Sequence, residues 1–142
     1  MYSFEELYKN RADYIFFLCQ RLEGNEERVE FLYLDVWRRA RRDMLQLSGT
    51  SEEKWLCQKL VDSHRQLNRK NPPPEEQRLE SGLMAGLMTL GLEYRWALVL
   101  KECVGFSYGE LGEVLGVPEG TVRTRIARAR AQLRKRVVEE AV

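Results

Sequence analysis

The sequence predicts an all-α protein made of two small helical domains, and three observations carry that reading. Apolar residues recur at steps of three and four in segment after segment, and no apolar–polar alternation persists anywhere. Three segments open on a Ser or Thr followed three residues later by Glu: Ser3 with Glu6, Thr50 with Glu53, and Ser107 with Glu110. That spacing lets side chains satisfy the orphan N–H groups at a helix start. Finally, Asn71-Pro72-Pro73-Pro74 stiffens and extends the backbone where no helix can continue. The expected layout is a three-helix domain over 1–70, a short linker over 71–74 and a four-helix domain over 75–142.

Taken in order, the first helix is predicted from Ser3 to Leu22, with Phe4, Leu7, Tyr8, Ile15, Leu18 and Leu22 facing inward. The run Tyr14 to Cys19 is apolar nearly all round, which predicts enclosure by neighbours. After a turn at Gly24-Asn25, a second helix is expected over about Glu26 to Leu45. Val29, Leu32, Tyr33, Val36, Ala40 and Met44 form its stripe, with Trp37 beside it. Phe31 and Leu34 fall off that stripe and either widen the core face or are exposed for a partner. Thr50 caps a third helix reaching Lys70, with Leu56, Leu60, Ser63 and Leu67 inward and Lys54, Lys59, Arg65, Arg69 and Lys70 outward.

Beyond the prolines, Glu75 to Leu90 reads as a helix weakened in its middle by Gly82 and Gly86, whose spacing suits close helix packing. Glu93 to Glu102 follows, presenting Tyr94, Ala97 and Leu98, with Val104 beyond, to the segment that comes next. That segment, Ser107 to Arg136, is the most informative in the chain. Leu111, Val114 and Leu115 give its first helix one apolar face, and Gly116 ends it. Pro118 restarts the chain as a first-turn proline, and Val122, Ile126, Ala129 and Leu133 form a second stripe. Gly112, Gly116 and Val122 meet the demands of a helix-turn-helix for a small residue at the crossing, a glycine turn and an apolar anchor. Away from the stripe lie Arg123, Thr124, Arg125, Arg128, Arg130, Arg134, Lys135 and Arg136, the layout of a helix that enters a DNA groove.

Charge sharpens this. The chain has 23 basic and 22 acidic residues, a net of +1. Pro118 to Arg136 holds seven bases and one acid, a local +6, which leaves −5 for the remainder. A basic edge on an acidic body fits local contact with nucleic acid and a different partner elsewhere. Cys19, Cys57 and Cys103 are scattered and odd in number, which argues against a disulfide framework. No leader opens the chain and no apolar stretch approaches a bilayer span, so the expected setting is cytoplasmic, with no membrane insertion. His64 and Cys57, two turns apart, are too sparse a ligand set for zinc. No nucleophile motif or phosphate-cradling loop is present, so neither a metal, a cofactor nor an enzymatic activity is expected.

Leu90 to Arg136, through its Leu-x-x-x-Tyr-Arg entry, Gly-Phe-Ser-Tyr and Gly-Thr-Val-Arg-Thr-Arg, resembles domain four of bacterial extracytoplasmic-function (ECF) sigma factors of the sigma-70 family. The first half resembles domain two of that family through LDVWRRAR at 34–41 and KWLCQKLVDSHRQLNRK at 54–70. The resemblance implies a subunit that directs RNA polymerase core to promoters, associating with the nucleoid when active. Its second domain would bind the −35 element and the polymerase β flap, with Thr121, Arg123, Thr124, Arg125 and Arg128 matching the DNA-contacting stretch. Arg can fork onto guanine and Thr can reach bases or phosphates, while most of Arg128 to Arg136 would position phosphates or stand free.

By the same resemblance the first domain would grip the polymerase β′ clamp through Phe31, Leu34, Asp35 and Arg38. Phe31 and Leu34 stand where relatives commonly carry an acid and a glutamine. The melted −10 strand would be held by the loop over Asp43–Thr50 together with Arg41, Arg42, Lys54, Trp55, Arg65 and Arg69. Trp55 either stacks on an exposed base or anchors the core. An anti-sigma factor is a further implied partner. Lys70 to Pro74 spans at most roughly 15–18 Å, short beside promoter elements on the order of 50 Å apart. That motivates an alternative, a sigma-like decoy for an anti-sigma factor. A stand-alone helix-turn-helix regulator is another.

Overall fold

A computed structural model describes residues 3–49, 51–73 and 82–140, and the chain divides into two compact units, Met1–Pro73 and Pro74–Val142. Every regular element among the described residues is helical.

The first unit is a three-helix bundle of α1 (Phe4–Leu22), α2 (Glu26–Arg42) and α3 (Glu52–Lys70), with a 3₁₀ turn over Met44–Leu47. Ser3 and Glu6 form the expected reciprocal cap at the start of α1. Asn25 caps α2. The cap of α3 is Ser51, whose hydroxyl accepts from the Lys54 N–H; Thr50, expected in that role, lies outside the described residues. Leu7, Leu18, Leu22, Leu32, Val36, Leu56 and Leu60 close the core with almost no exposure. At about 25 cal/mol per Å² of apolar surface, burial of such side chains is what holds three short helices together.

Three expectations need correction here. α2 stops at Arg42 rather than Leu45, because Asp43 leaves helical geometry and accepts from Arg42 and Lys59, so the chain tightens into the 3₁₀ turn. Phe16 and Phe17 are each 37% exposed, so the apolar run on α1 is not enclosed within this unit. Tyr8 is also exposed, at the edge of an aromatic cluster in which its ring meets Trp37 edge-on at 5.0 Å and its hydroxyl pairs with that of Tyr33.

The bundle also contains polar groups that periodicity does not reveal. His64 is fully buried and its Nε2 lies 3.0 Å from the carboxylate of Glu23. Arg28 reaches the same carboxylate, the Asn68 side chain and the Asn71 carbonyl. The end of α1, the start of α2 and the end of α3 are thereby tied together. Burial pushes the Glu23 carboxyl up, but hydrogen bonds from His64 and Arg28 outweigh it and hold the group below the usual carboxylate range.

The second unit comprises α4 (Leu83–Thr89), α5 (Leu92–Val99) running into a π-helical turn (Leu100–Val104), α6 (Tyr108–Leu115) and α7 (Glu119–Glu140). The part of the first expected helix over 75–81 lies outside the described residues. Gly82 sits at φ +95° and only Gly86 packs: a Cβ there would stand 2.8 Å from Leu133 of α7. Arg95 closes the end of α4. Although 8% exposed, its guanidinium donates to the carbonyls of Leu87, Met88 and Leu90, which satisfies acceptors that a helix end otherwise orphans.

Candidate nucleic-acid interface

The helix-turn-helix is fixed by local chemistry. Ser107 and Glu110 form the reciprocal cap of α6. Gly116 ends it in the left-handed conformation, φ 70° and ψ 34°, a geometry that costs a side chain but not glycine. Gly112 is required by proximity instead. Any Cβ there would stand 2.8 Å from the Val117 carbonyl oxygen, and the Val117 N–H returns to the Gly112 carbonyl at 3.0 Å. Val122, Ile126 and Ala129 bury completely beneath α7.

That buried stripe decides what α7 shows outward. Gly120, Thr124, Ala127 and Ala131 run along the opposite side, all exposed. The small outer strip lets a backbone approach closely, and basic side chains flank it: Arg123, Arg130 and Arg134 on one side, Arg128 and Lys135 on the other, all exposed. A helix of this width and charge fits a major groove about 12 Å across.

The five residues expected at this surface are not equivalent. Arg128 is exposed and Thr121 half-buried. Thr124 is exposed, with its hydroxyl donating back to the Gly120 carbonyl at 3.0 Å. Arg123 pairs with Glu119 one turn earlier at 2.9 Å, and its guanidinium carbon lies 4.2 Å from the ring centroid of Tyr108. Arg125 turns inward: its side chain is only 19% exposed and approaches Glu93 of α5 at 3.6 Å, because position 125 falls on the flank next to the Val122–Ile126 stripe. Arg130 pairs with Glu102.

In the first unit, Phe31, Leu34, Arg38 and Arg41 follow one another at steps of three and four along the outer side of α2. Phe31 is 54% and Leu34 67% exposed, so the choice left open by the sequence resolves to exposure. Leu34, Arg38, Arg41 and Arg42 line an open groove with Phe4 and Trp37. Asp35 does not reach that surface. It is buried, and its carboxylate accepts from Ser63 at 2.5 Å, from Arg39 at 2.8 Å and from Arg38. Burial raises the Asp35 carboxyl, and those three hydrogen bonds bring it below its ordinary value.

Lys54, Arg65 and Arg69 share the outward stripe of α3, interrupted by Asp62, which pairs with Arg65 at 3.3 Å. Trp55 lies one step round the helix and is 3% exposed, with Lys59 Nζ 5.2 Å from its ring centroid. It anchors the core, and its faces are not open to a base. The sequence reading missed Leu45, which projects 97% exposed from the 3₁₀ turn. That turn is pinned by Lys59, which donates to Asp43 at 2.6 Å and Gln46 at 2.9 Å. Neighbouring Arg42 and Lys59 hold the Asp43 carboxyl well below its usual range.

Residues 83–133 match the family "Sigma-70, region 4", which coincides with α4 through most of α7. Across 94% of its length the chain is 33% identical to the ECF RNA polymerase sigma factor SigE of Mycolicibacterium smegmatis, covering 61% of that relative. Over nearly all of its length the chain is thus similar to an ECF sigma factor, and its second unit carries the region 4 segment. A stretch of 59 residues is 41% identical to the ECF sigma factor SigW of Bacillus subtilis, 32% of whose length it covers. The chain thus spans about three fifths or less of these curated relatives. Among solved structures, it is similar to CnrH, in complex with the cytosolic domain of CnrY, at a TM-score of 0.76 and 26% identity over 97% of this chain and 88% of that one. It shares the fold of the sigma factor RpoE, in complex with the anti-sigma factor NepR from Bartonella quintana, at a TM-score of 0.77 and 20% identity over 94% and 96% of the two chains.

Proposed function

We propose that this chain acts as an ECF sigma factor, directing RNA polymerase core to a set of promoters, with α7 reading the −35 element. The observation that carries the proposal is the outer face of α7: a strip of small residues bordered on both sides by exposed basic side chains, in the segment that matches region 4. Arg123 is the base-reading arginine best placed for the role, and Thr121, Thr124 and Arg128 serve as groove and phosphate contacts. Arg125, held toward Glu93, steadies α7 on α5. The β flap would meet the same unit.

In the first unit, the exposed stripe of Phe31, Leu34 and Arg38 supports docking on the β′ clamp, with apolar contacts in place of polar ones and Asp35 setting the position of Arg38 from behind. Arg41, Arg42, Lys54, Arg65 and Arg69 support contact with the melted −10 strand, and Leu45 is placed to meet an exposed base. Catalysis would belong to the polymerase, and the protein would act in the cytoplasm. Two similar folds are described in complexes with the anti-sigma factor NepR or the CnrY cytosolic domain, and a partner of that kind is proposed here too. The test is run-off transcription from a genomic promoter library with core enzyme. Products restricted to a subset of promoters are expected; tight binding to core with no product would overturn the proposal.

A further inference from the structure

The reading arginine of α7 is not a free side chain. Two cations, one from the π-helical turn and one from α7, converge on the ring of Tyr108, the first residue of α6. Arg123 of α7 lies with its guanidinium carbon 4.2 Å from the ring centroid. Lys101, in the π-helical turn, brings its ammonium to 4.5 Å from the same centroid and donates to the Phe106 carbonyl at 2.9 Å. Glu119, one turn before Arg123, accepts from its Nη2 at 2.9 Å. Arg130 reaches across to Glu102.

Each contact alone is weak, because exposed cation–π and i,i+4 ion pairs stabilise little. Their directions matter more. A guanidinium stacked on a ring and bonded at one edge loses most of its rotamers before DNA arrives, so less conformational entropy is lost on binding. The π-helical turn contributes by placing Lys101 against the ring whose neighbour is Arg123; such turns recur at functional sites.

We infer that Tyr108 is a positioning residue for sequence selection. With Glu119, it holds Arg123 in a preset orientation, so that the selectivity of α7 depends on an aromatic residue of the preceding helix that touches no base. The inference rests on α7 being the −35 reader.

The experiment compares the full chain bound to core polymerase, as wild type and as Arg123→Ala, Tyr108→Leu, Tyr108→Phe and the Arg123→Ala/Tyr108→Leu double variant. Each is assayed for binding to promoters randomised through the −35 element. Arg123→Ala is expected to flatten the preference at one or two base pairs. Tyr108→Leu is expected to flatten it at the same pairs by about 2–5-fold, the scale of an exposed cation–π contact. Tyr108→Phe, which keeps the ring, retains the preference, and the double variant loses no more than Arg123→Ala. In the free protein, the Arg123 side-chain NMR resonance should carry a ring-current shift that vanishes in Tyr108→Leu and persists in Tyr108→Phe. Circular dichroism separates this from loss of α6. A Tyr108→Leu protein that keeps its preference, weakens all sequences equally or adds to Arg123→Ala overturns the inference, as does an Arg123→Ala protein with an unaltered preference. A wild type that selects no sequence overturns the −35 reading itself.

Discussion

The two units place their charges oppositely. In the first, charged groups lie inside, in the Glu23–His64–Arg28 and Asp35–Ser63–Arg39 clusters, while Phe31, Leu34 and Leu45 stand out in solvent. In the second, apolar and small residues fill the interior, Arg95 is the one charged side chain classed as buried among the described residues of that unit, and the basic residues of α7 line the outside. The contrast teaches that the second unit is built largely from local rules of caps, turns and stripes, whereas the first locks its helices with polar clusters that join residues far apart in the chain.

The contrast breaks most sharply where a buried charge loses its partner. Glu23→Ala leaves His64 and Arg28 facing a void and should cost about 3–5 kcal/mol in urea denaturation, the usual penalty for one half of a buried pair. The pH dependence follows from the same group. Its carboxyl is lowered in the folded state, so its contribution is present above the unfolded value near ~4.3 and is lost as pH falls through the folded one. Glu23→Gln should therefore flatten the acid limb of a stability–pH curve below about pH 4. An unchanged acid limb would show that folding leaves the proton affinity of Glu23 unaltered.

Next in size, Arg95→Leu strips α4 of its carbonyl partners and should destabilise the chain by about 2–3 kcal/mol, read by thermal melting. Gly112→Ala forces a Cβ against the Val117 backbone oxygen and should cost about 1–3 kcal/mol, with promoter binding lost in parallel because the turn sets the angle of α7.

How much of this was legible follows the same division. The helix-turn-helix could be read from Ser107, Gly112, Gly116, Pro118 and Val122 because caps, turns and stripes act within a few residues. Arg125 could not be placed, since a run of arginines does not say which one the next helix draws inward; Glu93, over thirty residues earlier, decides that. In the first unit the helices and most of the core were legible. Burial of His64 and Asp35 was not, because a polar residue on a helix reads as surface until a partner from another helix appears. Trp55 stood undecided for the same reason: one step of rotation separates core from surface.

Smaller effects sharpen the comparison from the outside. Arg128→Ala should weaken binding to all duplexes alike and lower the slope of log K against log salt by about one unit, measured by fluorescence anisotropy across a salt series. Least of all, Phe31→Ser and Leu34→Ser should shift stability by no more than about 0.5 kcal/mol, while weakening core polymerase by about 1–2 kcal/mol each in a titration.

The placement of α7 in a DNA groove can be tested directly by hydroxyl-radical cleavage. An iron chelate attached at Ala127→Cys, on the exposed outer strip, with Cys103→Ser to remove the half-buried thiol, reports which base pairs lie beside the helix in the promoter complex. Cuts confined to a few base pairs around −35 are predicted. Cleavage absent there, or spread evenly along the duplex, would contradict the account.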